Sequence, residues 1–539
     1  MNQRRMFSLT AVSVAMVVFF PAWGMAQRRC ENLSKFKLPD TTIVTAKAVP
    51  AGPFTLPAGP FGGPRSVKLP AFCRVEGVIK PTADSDIKFE VWMPSQDWNG
   101  KFDGVGNGGF AGSIAYDGLV AALRAGFATA STDTGHEANV TDARWALGHP
   151  QKIIDFGYRA IHLTNVVGKA IVRSFYGKAA RESYFSSCSN GGRQALMEAQ
   201  RFPGDYNGII AGAPANFWTH LTAGGIWDSQ ATLENPASYI PPSKLPAIRN
   251  AVLAACDAKD GVKDGILNDP TQCHFHPEKL LCKGADTDAC LTAPQVTALE
   301  KLYAGPTDSK GRQIFPGHMP GGETGPDGWE TWLTGSGPGK SLAYVFGTQF
   351  FSNMMFDNPK WDYRTFNFDT DIRLTDKKLA HVLNATNPNL AVFKDHGGKL
   401  ILYHGWSDSA IAPLNTVNYY KSVVATMGPR QAKDFVRLYM VPGMKHCGLG
   451  PGPSSFGAGP SKNANPKESM FGSSERWVEH GVAPGDIIAR KYANPVKPSS
   501  GVEMTRPLCP YPQIVKYKGS GDIHKASSFV CATPGHRAK

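Results

Sequence analysis

Ser189, Asp408 and His446 have the types and surroundings that acyl transfer requires. Ser189 sits in Cys188-Ser189-Asn190-Gly191-Gly192. The stretch before it, 182–187, reads as a short strand. The stretch after it, 193–202, reads as a helix with Ala195, Leu196 and Ala199 on one face. A serine at a tight strand-to-helix turn is a nucleophile elbow: small neighbours let the turn close, and the helix N-terminus favours a developing oxyanion. The usual pattern is Gly-x-Ser-x-Gly, and here Ser187 replaces the first glycine. A Ser/Gly-rich connection would look the same, so the motif needs an acid and a histidine later in the chain, in that order. Residues 399–403 form a buried-strand pattern that runs into His404-Gly-Trp-Ser-Asp408. A second strand pattern, 435–441, runs into a Gly-flanked loop that holds His446. A neutral imidazole can take the serine proton, and a buried carboxylate can hold the tautomer that does so. Cys188 precedes the serine and Cys447 follows the histidine. A disulfide between them would hold their Cα atoms about 4.4–6.8 Å apart and bring nucleophile and base together across 257 residues of chain.

Two glycine-rich or acidic segments add to this. Gly104-Val-Gly-Asn-Gly108-Gly109 fits the dinucleotide pattern, but Phe110-Ala-Gly-Ser-Ile is a poor helix start, which argues against that use. In an esterase, such a loop lets backbone amides approach a carbonyl oxygen. The segment from Cys256 to Ile266 is dense in carboxylates. Its acids fall at intervals of three and four, so it fails the EF-hand template, yet hard oxygens with backbone carbonyls still suit Ca²⁺. On its residues alone it reads as a solvated acidic turn.

The chain resembles the tannase and feruloyl esterase family of α/β-hydrolases, which includes fungal feruloyl esterases, tannases and a bacterial mono(2-hydroxyethyl) terephthalate hydrolase. The resemblance rests on Cys188-Ser189-x-Gly191-Gly192, Gly405-Trp406-Ser407-Asp408, His446-Cys447 and the cysteine-bounded acidic loop at 256–273. It implies that Cys188 and Cys447 are bonded. It also implies that the amide of Gly108 or Gly109 joins that of Asn190 in the oxyanion hole. It further implies that Asp257, Asp260 and Asp264, with the carbonyls of Val262 and Ile266, hold a structural Ca²⁺. No redox or organic cofactor is implied.

These residues need a scaffold. Ser189 and Asp408 lie 219 residues apart, far more than one strand–helix–strand step requires. The expectation is an α/β-hydrolase domain in two parts, 27–215 and 386–539. A Gly/Pro-rich, aromatic lid at 216–385 is inserted between nucleophile and acid and carries the calcium loop. Residues 1–26 read as a secretory leader: Arg4 and Arg5, an apolar run, then Gly24-Met25-Ala26. The ten cysteines, Cys30, Cys73, Cys188, Cys256, Cys273, Cys282, Cys290, Cys447, Cys509 and Cys531, all follow it, and an even number suggests five disulfides in a secreted or periplasmic protein. Short loops suggest Cys256–Cys273, Cys282–Cys290 and Cys509–Cys531. The rival is a zinc site from Cys273, His274, His276, Cys282 and Cys290, but no CxxC occurs.

With 42% hydrophobic and 19% charged residues the chain can build a large core. The net charge of +13 comes without a run of four basic residues, which argues against a nucleic-acid partner, and no later segment is apolar enough to span a membrane. The expected partner is a small aromatic ester, free or attached to a plant polymer. Trp329, Trp332, Phe350, Phe351 and Ile411 are the candidate pocket residues. From Gln313 to Tyr363 there is no arginine, and Arg364 is the first one after that stretch. This favours hydroxycinnamoyl or galloyl esters over a terephthalate monoester, whose second carboxylate wants a guanidinium. The other classes are a peptidase with the same triad and a non-catalytic binding protein on a hydrolase scaffold.

Overall fold

A computed structural model describes residues 29–58 and 63–533, so the expected leader, 1–26, lies outside the described residues. Fifteen strands occur among them. They are β1 (Thr41–Val49), β2 (Gly52–Leu56), β3 (Arg65–Leu69), β4 (Phe72–Ile79), β5 (Ile87–Pro94), β6 (Lys101–Val105), β7 (Ala128–Thr132), β8 (Glu182–Cys188), β9 (Gly208–Gly212), β10 (Lys399–Gly405), β11 (Val436–Val441), β12 (Ile487–Tyr492), β13 (Val502–Leu508), β14 (Ile514–Tyr517) and β15 (Phe529–Ala532). Nine of them form one sheet in the order β1-β4-β5-β7-β6-β8-β9-β10-β11. The β1, β4 and β5 end is antiparallel, and the run from β7 to β11 is parallel.

The parallel strands read as apolar runs because helices cover both faces. Side chains alternate with period two. Phe185, Ile209, Leu400, Leu402 and Leu438 meet the helices Ala160–Tyr176, Asn190–Arg201 and Leu414–Met427 on one face. Tyr184, Ile210, Ile401, Tyr403 and Tyr439 meet Phe471 and Trp477 of helix Met470–His480 on the other. After β6 the chain adds β7 on one side and β8 on the other. The crevice beyond the carboxyl ends of β6 and β8 is therefore the switch point at which open α/β sheets hold ligands. This is an α/β-hydrolase fold.

Between β9 and β10 the chain adds no strand to the sheet. Its helices Trp218–Leu233 and Leu342–Phe350 pack against each other, and Ile248, Leu299, Leu302 and Trp329 form a separate core. A second cluster joins this inserted segment to the scaffold: Trp218, Phe350 and Met354 meet Phe110, Phe156 and Ile411. After helix Met470–His480 the chain forms two small hairpins, β12–β13 and β14–β15, outside the main sheet.

Candidate active site

Strand β8 ends at Cys188 and helix Asn190–Arg201 begins two residues later, so Ser189 alone makes the turn. Its backbone sits at φ 66°, ψ −128°, a region that L-residues enter only when neighbours hold them there. The holding bonds are Ser189 N to Gly212 O at 2.9 Å and the amides of Arg193 and Ala215 to Ser189 O at 3.0 and 3.1 Å. The glycines of the elbow are obligatory for space: a Cβ on Gly191 would stand 1.9 Å from Ser187 Oγ, and one on Gly192 would stand 2.4 Å from Gly212 O. The predicted helix start at Arg193 moves to Asn190, because these glycines form the first helical turn instead of preceding it.

The Ser189 hydroxyl donates to His446 Nε2 at 2.9 Å, and His446 Nδ1 donates to Asp408 Oδ2 at 2.8 Å. Asp408 lies in the turn after β10 and His446 in the loop after β11. The second carboxylate oxygen accepts the amides of Ala410 and Ile411 at 2.8 and 3.0 Å. Burial pushes the Asp408 carboxyl up, but His446 and the bonds from His404 and His446 outweigh it and hold the group well below the usual range. Burial lowers His446, and Asp408 more than reverses that, so its pKa is raised. The arrangement can pass the serine proton to Nε2 while Nδ1–H stays on the carboxylate.

Cys188 and Cys447 are bonded, with Cα atoms 5.9 Å apart. The other pairs are Cys30–Cys73, Cys256–Cys273, Cys282–Cys290 and Cys509–Cys531, which uses every sulfur of the zinc alternative.

Gly108 and Gly109 follow β6 and line one cavity with Ser189 and Asn190. Gly109 has φ +52°, and a Cβ there would stand 2.3 Å from Val140 O. The neighbouring Asn107 is pinned from four sides. Its amide donates to Gln194 Oε1 at 2.9 Å, its side chain donates to Ser113 O and Thr132 O at 2.9 and 2.7 Å, and Gln194 Nε2 donates to its Oδ1 at 3.2 Å. Gln194 therefore ties this loop to the elbow helix. Arg193, fully buried, donates to Asn190 Oδ1 at 2.8 Å and to the carbonyls of Phe156 and Gly157, and so fixes the residue after the serine.

The cavity measures about 1190 Å³. Trp332 and Ile411 line it, together with Trp218, Phe315 and Phe346. Trp329, Phe350 and Phe351 do not, which corrects the sequence expectation. Trp329 is fully buried against Tyr303 in the core of the inserted segment, and Phe350 and Phe351 are fully buried in the cluster at its base with Met354 and Phe366. An aromatic side chain serves a core as well as a pocket, and its type does not say which side it faces. Arg364 is exposed and donates to Asp362 Oδ2 at 2.6 Å, away from the cavity.

Four residues at the site carry no motif of their own. His404 accepts from Thr416 Oγ1 at 2.7 Å and donates to Asp408 Oδ2 at 3.0 Å; its place four residues before the acid was the visible signal. Lys445, next to His446, gives its ammonium to the carbonyls of Thr324, Gly325 and Pro326 in the inserted segment. Asp327 accepts from Trp332 Nε1 at 2.5 Å, and the Trp332 ring stands edge-to-face on His446 at 5.2 Å. Asp228 accepts from His318 Nε2 at 3.0 Å. Sequence separation hid the pairing of Asp228 with His318, 90 residues apart, whereas Asp327 and Trp332 are near neighbours whose inward face the sequence does not mark.

In the acidic loop, Asp257 accepts the Gly265 amide, Asp260 those of Val262 and Asn268, and Asp264 that of Ile266. Arg506 of β13 donates to Asp264 Oδ2 at 2.6 Å, both side chains buried. With Asp264 drawn to Arg506 and the others capping loop amides, the three carboxylates are not among the described groups whose ligand atoms all lie within 4.8 Å of one another. The donor chemistry nonetheless fits a hard cation. Burial, with the charges of Asp264 and Asp257, pushes Asp260 up to about 6. The buried side-chain oxygen of Asn268 beside it has no partner among the described residues.

Known proteins are similar to this chain over most of its length. A family model described as tannase and feruloyl esterase matches residues 73–532. An uncharacterized esterase of Xanthomonas campestris pv. campestris is 46% identical over 532 residues, covering 94% of this chain and 91% of that one. The mono(2-hydroxyethyl) terephthalate hydrolase of Piscinibacter sakaiensis is 36% identical over 540 residues, covering 86% of this chain and 85% of that one. The crystal structure of feruloyl esterase B from Aspergillus oryzae superposes with a TM-score of 0.85 at 30% identity, covering 93% of this chain and 99% of that one.

Proposed function

The chain belongs to the tannase and feruloyl esterase family of carboxylic ester hydrolases, and we propose that it hydrolyses aromatic esters of the hydroxycinnamoyl or galloyl type through an acyl-enzyme on Ser189. The observation that carries this is the Ser189–His446–Asp408 relay, at 2.9 and 2.8 Å, opening on a cavity walled by Trp218, Phe315, Trp332 and Phe346. His446 Nε2 takes the hydroxyl proton as Ser189 Oγ attacks the ester carbonyl carbon. The amides of Asn190 and of Gly108 or Gly109 receive the charge on the carbonyl oxygen. Collapse breaks the ester bond, and His446 returns the proton to the leaving alcohol. Water, deprotonated by the same nitrogen, then releases the acid.

The inserted segment acts as a lid that supplies most of the aromatic wall. Asp257, Asp260 and Asp264, with the carbonyls of Val262 and Ile266, would hold a Ca²⁺ that would brace the acidic loop and take no part in the chemistry, while Arg506 ties Asp264 to the C-terminal hairpins. Five disulfides and the leader expected at 1–26 support export to the periplasm or the medium. Among the described residues no helix is long and apolar enough to cross a membrane.

The rival acyl group is a terephthalate monoester, favoured by one relative and by Arg65, an arginine among the cavity residues. A panel of methyl ferulate, methyl gallate, mono(2-hydroxyethyl) terephthalate and p-nitrophenyl acetate separates the readings by kcat/KM. The expected result is methyl ferulate or methyl gallate highest. A faster terephthalate monoester would reverse the assignment, and no turnover of any ester would leave the peptidase and binding-protein readings.

A further inference from the structure

The charged groups that face the cavity are mostly acidic. Asp228, on helix Trp218–Leu233, is 5% exposed and lines the cavity. One of its oxygens takes His318 Nε2, and Oδ1 has no protein partner among the described residues. Asp327, in the turn before Trp332, also lines the cavity; Oδ1 takes the Trp332 indole, and Oδ2 has no protein partner among the described residues. The possible counter-charges are already engaged. Arg65 pairs with Asp117 at the exposed mouth. His318 is held by Asp228, and His446 by Asp408. The Lys445 ammonium is taken up by three carbonyls and is absent from the cavity wall.

An apolar cavity with two half-free carboxylates offers acceptors and, among the described residues, no unpaired cation. A ligand hydroxyl can donate to either oxygen. A ligand carboxylate would bring a third negative charge beside Asp228 and Asp327, with no unpaired cation facing it among the described residues, which is the costly arrangement. We infer that Asp228 and Asp327 are specificity determinants that admit uncharged aromatic esters bearing hydroxyl donors and reject esters bearing a second carboxylate. This rests on the aromatic-ester reading above and adds the rule by which substrates are chosen.

Competition against p-nitrophenyl acetate tests it, because the competitor need not itself be hydrolysed. Dimethyl and monomethyl terephthalate share ring and ester and differ by one negative charge. In the wild-type enzyme Ki for the monoanion should exceed that for the diester by about tenfold or more. The isosteric changes Asp228→Asn and Asp327→Asn, which keep an acceptor for His318 and for Trp332, should each shrink that ratio several-fold. Methyl ferulate should compete better than methyl 3,4-dimethoxycinnamate, which lacks the donor. Equal Ki values for the two terephthalates in wild type, or a ratio unmoved in both variants, would overturn the inference. The two variants lie in different elements, and a melt of each identifies one that does not fold. If methyl ferulate and methyl gallate compete but are not cleaved, the substrate reading falls while the charge rule is still decided by the Ki ratio.

Discussion

Two imidazoles converge on one oxygen of Asp408, His404 Nε2 at 3.0 Å and His446 Nδ1 at 2.8 Å, while two backbone amides fill the other oxygen. The carboxylate thus meets four donors in a site with no water exposure to speak of, which is why it stays ionised despite burial. Its charge lifts His446, with a smaller contribution from Asp327. Catalysis needs His446 neutral, and a raised pKa means that a higher pH is needed to reach that form. The expected kcat/KM for methyl ferulate therefore climbs through one ionisation above about 6.5 and then levels. Asp408→Asn removes the lifting charge, so the remaining activity should be small and its acid limb displaced to lower pH. A wild-type limb well below 6.5, or an Asn variant with an unmoved limb, would contradict this.

At the scale of elements, Lys445 connects the loop that carries His446 to the inserted segment. Its ammonium is 1% exposed and bonds Gly325 O at 3.1 Å and Pro326 O at 2.8 Å, together with Thr324 O; burial pulls its pKa down to about 8. Gly328 leaves room for it, since a Cβ there would stand 2.7 Å from Nζ. Lys445→Met keeps the length and removes the donors, leaving three carbonyls to find water. The segment with Asp327 and Trp332 should loosen, and KM for methyl ferulate should rise about tenfold, with kcat falling less. An unchanged KM in steady-state kinetics would show that the clamp does not shape the cavity. The strands around the site were readable to within two residues, because residues 400–402 and 438–441 are apolar runs followed by Gly-containing turns. The contacts made by Lys445, Asp228 and Asp327 were not. They join residues separated by 90 positions or more across two layers of structure, or depend on which face of a short helix points inward. Trp332 and Trp329, three residues apart, show this: one lines the cavity and the other is core.

For the whole molecule, the long connections are held by covalent and ionic ties. Cys188–Cys447 joins the elbow to the histidine loop, and Arg506–Asp264 joins the last hairpins to the acidic loop, which Cys256–Cys273 closes. The spacing of short cysteine loops was legible, whereas the Cys188–Cys447 pair emerged from its neighbours' chemistry. If Ca²⁺ binds the acidic loop, chelation should lower Tm by roughly 5 °C or more, because a ion bound only to the folded state stabilises it. Added Ca²⁺ should restore the melt, and kcat at room temperature should hardly change. A melt indifferent to chelation and to added Ca²⁺ would remove the ion from the account.

The most direct test of the acyl-enzyme mechanism is kcat/KM for methyl ferulate in the Ser189→Ala variant beside the wild type, with a thermal melt of both. The expected loss is about a thousandfold or more at an unchanged melt, leaving only what binding and the oxyanion amides supply. A Ser189→Ala protein that melts like the wild type and still turns over methyl ferulate at a comparable rate would contradict the account.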